Sequence, residues 1–95
     1  MAFDLALPDS LKNQKWKVKI ANFERVEPPH VTIIRKTTRW RFDLRDRRFP
    51  DDEPDSNQVP RELIEYIERQ DIHRLLCQEW DKAYPHNPVS GGDDD

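Results

Sequence analysis

Two stretches of this chain alternate apolar and basic residues with a period of two, and that pattern constrains the fold more than any other feature. In "KWKVKIAN", residues 15–22, Trp16, Val18 and Ile20 fall on one side and Lys15, Lys17 and Lys19 on the other. In "RWRFDLRD", residues 39–46, Trp40, Phe42 and Leu44 alternate with Arg39, Arg41, Asp43 and Arg45. Successive side chains of a strand point to opposite faces, so both segments read as strands with one face in a core and one in water. Between them, "PHVTIIRK", residues 29–36, is rich in β-branched residues and is punctuated at its start by Pro28-Pro29. Three strands with one wet face predict a small, mostly antiparallel sheet.

The pattern then changes. "FPDDEPDSNQVP", residues 49–60, reads as a loop, and "PRELIEYIERQ" as a helix with Pro60 in its first turn and Glu62 near its positive end. Leu63, Ile64 and Ile67 share one helical face; Ile72, Leu75, Leu76 and Trp80 share another, about half a turn away on a single ideal helix. This predicts a break near Gln70–Asp71, with Asp71 as a cap for a second helix; one continuous helix buried on two sides is the alternative. The expected plan is β-β-β-α-α, an α+β fold with one or two C-terminal helices packed on one sheet face. Trp16, Trp40 and Trp80 are its expected core. Residues 15–84 form the single domain, preceded by an N-terminal segment (1–14) and followed by an acidic tail (85–95) expected to be disordered.

Composition bounds the function classes. An apolar fraction of 35% beside a charged fraction of 37% leaves a modest core, rescued by nine aromatic residues. The single cysteine, Cys77, allows no internal disulfide and fits a reducing cytoplasm. No apolar run approaches the roughly 18 residues a membrane helix needs, and the acidic N-terminus lacks the basic start of a signal peptide. Gly91 and Gly92 are the only glycines, so no glycine-rich phosphate loop is available and no cofactor is expected. His73 and Cys77 are four apart on the second helix, but two ligands do not make a metal site. Cys77 reads more simply as a small core residue, and His86 as a surface residue.

Charge is placed very unevenly. The chain carries a net charge of -3, yet residues 15–48 carry +7 and the remainder -10. Strand parity gathers Lys15, Lys17, Lys19, Arg39, Arg41 and Arg45 on the face away from the helices. If Val31 and Ile33 point to the core, His30 and Thr32 join that face. Like charges on neighbouring strands repel, so something anionic should offset them. A nucleic acid is one candidate. The aromatics Trp16, Trp40 and Phe42 are phased inward, however, leaving only Phe23 and Phe49 nearby for base stacking. The other candidates are an acidic protein partner and the chain's own Asp51–Asp55 loop folded over the arginines. His30, fixed by two prolines beside a basic strand, is the one candidate acid or base for ribonucleolytic chemistry, with Arg39 or Arg41 as phosphate ligands. The plainer reading makes it a locally hydrogen-bonded residue at the start of a strand.

"EPPHVTI", residues 27–33, followed by an aromatic-basic strand and a helix ending in "LLCQEWDKAY", residues 75–84, resembles the small bacterial domain of unknown function 4160. The resemblance covers roughly residues 15–84. It implies a compact bacterial module that works with a second small protein, since some members are placed in toxin–antitoxin systems. Pro28, Pro29, His30 and Val31 match the family's Pro-Pro-His-Val segment, and Trp80 matches its late tryptophan. Thr32 stands where the family often has a second histidine, which argues against a mechanism needing two.

Overall fold

The computed structural model describes residues 3–20, 28–53 and 55–89. Its elements run β1 (Phe3–Asp4), α1 (Asp9–Lys12), β2 (Trp16–Ile20), β3 (His30–Arg35), β4 (Thr38–Asp43), a 3-10 turn (Ser56–Gln58), α2 (Arg61–Glu68) and α3 (Gln70–Ala83). The strands form one antiparallel sheet in chain order β1-β2-β3-β4. The α+β plan with C-terminal helices holds, but the sheet has four strands rather than three. The extra strand comes from the N-terminal segment, where two residues carry too little pattern to read. Phe3 pairs with Ile20 and Asp4 with Lys19, and the Leu5 amide adds a bond to the Val18 carbonyl at 2.8 Å.

Alternation governs the sheet as the sequence dictates. Trp16, Val18, Ile20, Val31, Ile33, Trp40 and Phe42 are all buried and face the helices. They form one core with Leu63 and Ile67 of α2 and Leu76 and Trp80 of α3. The break between the helices falls at Arg69, whose ψ of 141° is extended, one residue before the expected position. It lets each helix turn its own apolar stripe inward. Asp71 does not cap α3: its carboxylate is held by the Arg69 guanidinium, 2.9 Å away, and no side chain caps that terminus.

The N-terminal segment and the near part of the tail are both built into the fold. Leu5, Leu7 and Leu11 are buried in the same core. Ser10 Oγ donates to the Glu62 carboxylate, and Tyr66 Oη donates to the Ala6 carbonyl at 2.9 Å, so α2 holds this segment from outside. At the other end, Trp80 Nε1 donates to the Asn87 carbonyl at 2.7 Å, and the Val89 amide donates to Asp81 Oδ1 at 2.8 Å. The sequence reading placed residues 85–89 in a disordered tail. These bonds instead fold them back over α3, because a buried indole N–H requires an acceptor. The Asp93–Asp95 end of that tail lies outside the described residues.

Among the described residues, three that are not glycine have positive φ: Lys15 (73°), Lys36 (56°) and Arg47 (56°). Lys15 closes the turn between α1 and β2, Lys36 lies in the β3–β4 hairpin turn, and Arg47 follows the turn after β4. With glycine found only at 91 and 92, these left-handed positions fall to basic residues, at roughly 1 kcal/mol each.

Candidate functional site

Register fixes the composition of the open face. Lys19 stands opposite Thr32 and Thr32 opposite Arg41; Lys17 stands opposite Ile34 and Ile34 opposite Arg39. A half-buried isoleucine thus sits between two exposed cations near the β3–β4 hairpin, with a threonine between two half-exposed cations in the next row.

Of the six bases expected on this face, Lys17, Lys19, Arg39 and Arg41 occupy it. Lys15 precedes β2, in the left-handed turn that leads out of α1. Arg45 lies beyond β4, because Asp43 Oδ1 accepts from the amides of Arg45 and Asp46 and turns the chain away. The Arg45 guanidinium is bound to the tail instead, through the carbonyls of Val89 (2.7 Å) and Pro88 (2.8 Å).

The face is half neutralised from within. Arg41 makes a forked pair with Asp51, Nε to Oδ2 at 3.1 Å and Nη2 to Oδ1 at 2.9 Å. Lys19 lies 3.8 Å from Asp4. The acidic loop therefore does fold onto the sheet, but through one residue. Asp52 and Glu53 stay exposed. Asp55 is used for structure: its side chain caps the 3-10 turn and its carbonyl accepts from Trp40 Nε1 at 3.0 Å. Among the described residues, Lys17 and Arg39 have no acidic partner.

The Arg41 hydrogen bonds hold the Asp51 carboxyl below its usual range; slight burial opposes this, and the charges of Arg41 and then His30 add to it. Because this carboxyl titrates lower folded than unfolded, the pair's contribution to stability is complete above the ordinary carboxylate range. It disappears as the pH falls through Asp51's own depressed value. Both side chains are about two-fifths exposed, which keeps the contribution under about 1 kcal/mol. Two results are expected of Asp51→Asn. Its urea midpoint falls slightly below wild type at neutral pH and converges with it in acid. Removing the Asp51 charge from beside the face raises its affinity for an acidic peptide by about two- to fivefold; fluorescence anisotropy reads this directly.

His30 does not stand on the open surface. Parity aligns it with Thr32, since it pairs with Asp43, but it is only 4% exposed. Its ring lies 5.5 Å from that of Trp80, and Nδ1 donates to the Pro28 carbonyl at 2.9 Å. A proline carbonyl can only accept, so Nδ1 carries a proton. His30 also shares with Pro28, Arg41, Asp43 and Pro50 a cleft of about 250 Å³. Arg41 is thus brought to His30 and Arg39 is not. Truncating His30 to alanine is expected to lower stability by about 2 kcal/mol, as for other buried side chains. An unchanged urea midpoint would mean the ring contributes nothing to packing.

The second histidine group is structural. His73 Nε2 donates to the Leu44 carbonyl at 3.0 Å, which leaves Nδ1 to accept from Arg47 Nη2 at 3.3 Å. Burial pushes the neighbouring Cys77 thiol up, with help from the charge of Asp81, the opposite of what an activated nucleophile needs. Among the described residues no group of three or more His, Cys, Asp or Glu side chains is placed to share a metal ion. No described helix is long and apolar enough to cross a membrane.

Phe49 is half-buried and packs edge-on against Phe42, with centroids 5.2 Å apart; Phe23 lies outside the described residues. What the sequence did not reveal was Lys12 of α1, which lines a cleft together with the already expected Lys15, Lys17 and Lys19. The signal was present in the spacing of these lysines. It had no meaning until β1 and α1 were known to lie beside β2. Protein-family models, curated proteins and solved structures were all compared with this chain, and none matches it.

Proposed function

We propose that this chain is a small binding module that takes an acidic protein partner on the open face of its sheet. One observation carries the reading: Lys17 and Arg39 flank the half-buried Ile34 with no acidic partner among the described residues, while Lys19 and Arg41 on the same face are paired within the chain. An apolar centre between unpaired cations suits a protein surface bearing carboxylates. A single-stranded nucleic acid suits it less, because Trp16, Trp40 and Phe42 are buried in the core and offer bases no stacking surface. The resemblance of the Pro28-Pro29-His30-Val31 segment to domain of unknown function 4160 supports the same reading, a module acting in a toxin–antitoxin-like pair.

The experiment is an anisotropy titration of the purified chain with a labelled glutamate-rich peptide and, separately, a single-stranded RNA of equal charge. The peptide is expected to bind at low salt and to weaken as salt screens the contact. Tighter binding of the RNA would reverse the choice of partner.

One observation favours a second reading, a ribonuclease-like activity: His30, Arg41 and Asp43 line one cleft. That reading requires RNA cleavage that is lost in His30→Gln while the fold is kept.

A further inference from the structure

β1 covers only part of the outer edge of β2. Pairing runs through Phe3–Ile20 and Asp4–Lys19 and ends with the Leu5–Val18 bond. The chain then leaves the edge toward α1. Main-chain groups of alternate strand residues point to the same side, so those of Trp16 face this edge, as those of Val18 do, beyond the last pairing bond. Between the departing segment and β2 lies a half-open cleft of about 440 Å³.

Its walls have an unusual chemistry. Leu5, Leu7, Trp16 and Val18 make an apolar floor, and the rim carries Lys12, Lys15, Lys17 and Lys19. Among the described residues the only acid in the lining is Asp4, already 3.8 Å from Lys19. Lys12, Lys15 and Lys17 have no acidic partner among the described residues. The buried indole N–H of Trp16 also lacks a hydrogen-bond partner among the described residues, an uncommon and unfavourable state for a buried donor.

We infer that this cleft takes an extended acidic segment of the protein partner, with carboxylates on the lysine rim and at least one apolar side chain on the floor. The inference rests on the reading of the chain as a binder of an acidic protein, and it supplies the element by which that partner is gripped. Lys17 and Lys19 belong both to the open face and to the cleft rim, so one partner can span the two. Lysine ammoniums around an apolar slot select for alternating acidic and apolar residues, and a free strand edge selects for an extended backbone. A cleft answering to charge alone needs no such floor.

The test uses the full chain and labelled peptides of equal length: alternating glutamate–leucine, all-glutamate and alternating glutamine–leucine. The glutamate–leucine peptide is expected to bind tightest. Lys12→Glu/Lys15→Glu is expected to weaken it by about tenfold or more, and Arg61→Glu/Arg74→Glu, on the exposed helix positions outside both surfaces, by less than about twofold. The same loss in Lys12→Gln/Lys15→Gln, with an unchanged circular dichroism spectrum, separates loss of contact from loss of fold. Equal affinity for the glutamate–leucine and all-glutamate peptides overturns the cleft proposal, and so does an unaffected Lys12/Lys15 variant. If all-glutamate binding persists in these cases and is lost in Arg39→Glu, the open-face reading stands alone. If neither acidic peptide binds wild type at low salt, both readings fail.

Discussion

Removing residues 1–14 is expected to leave the rest of the chain unfolded at room temperature. The deletion takes away β1, α1 and three buried leucines, of which Leu11 is completely enclosed and Leu5 and Leu7 are 8% and 9% exposed. Full burial of one leucine stabilises by roughly 1.5–3 kcal/mol. Three approach the whole stability of a chain this size, on the order of 5–14 kcal/mol. The deletion also exposes the outer edge of β2 and breaks the bonds from Ser10 to Glu62 and from Tyr66 to Ala6. Far-UV circular dichroism of the truncated chain checks this. The single substitution Leu11→Ala gives a graded version, expected to cost about 2–5 kcal/mol in a urea melt. A truncated chain with native spectrum and cooperative melting would show that residues 15–84 fold without the segment.

Reversing both unpaired cations in Lys17→Glu/Arg39→Glu is expected to abolish binding of a glutamate-rich peptide while the urea midpoint stays within about 0.5 kcal/mol of wild type. Both side chains are exposed and outside the core, so little folding energy is at stake. Binding loses two attractive contacts and gains two repulsive ones, and like charges brought together across an interface are strongly disfavoured. Arg61→Glu/Arg74→Glu, on exposed positions of α2 and α3, changes the net charge equally and is expected to weaken binding only slightly. Equal losses in the two variants would mean that net charge, and not this face, governs the contact.

The sheet and both helices were legible in the sequence because their patterns are long and regular. Trp16-Val18-Ile20 and Trp40-Phe42 carry period two, and the phase jump between Ile67 and Ile72 places the helix break to within a residue. The N-terminal strand was not legible, since two residues cannot display a period, and of the three leucines at 5, 7 and 11 two lie in the irregular link after β1 and one in a one-turn helix. Of the candidate face, parity supplied Lys17, Lys19, Arg39 and Arg41. It overextended to Lys15 and Arg45, because alternation alone does not say where a strand stops. The Asx turn at Asp43 and the left-handed Lys15 set those limits. The burial of His30 was likewise hidden, because it depends on Trp80, fifty residues away in the chain, arriving beside its ring.

The most direct measurement of the central claim is a backbone amide shift map of the isotope-labelled full chain with the glutamate-rich peptide. If the open face takes an acidic partner, the shifts concentrate at Lys17, Thr32, Ile34 and Arg39, and they vanish in Lys17→Glu/Arg39→Glu. Shifts confined to His30, Asp43 and Asp51, or a map that responds to RNA and not to the peptide, would contradict it.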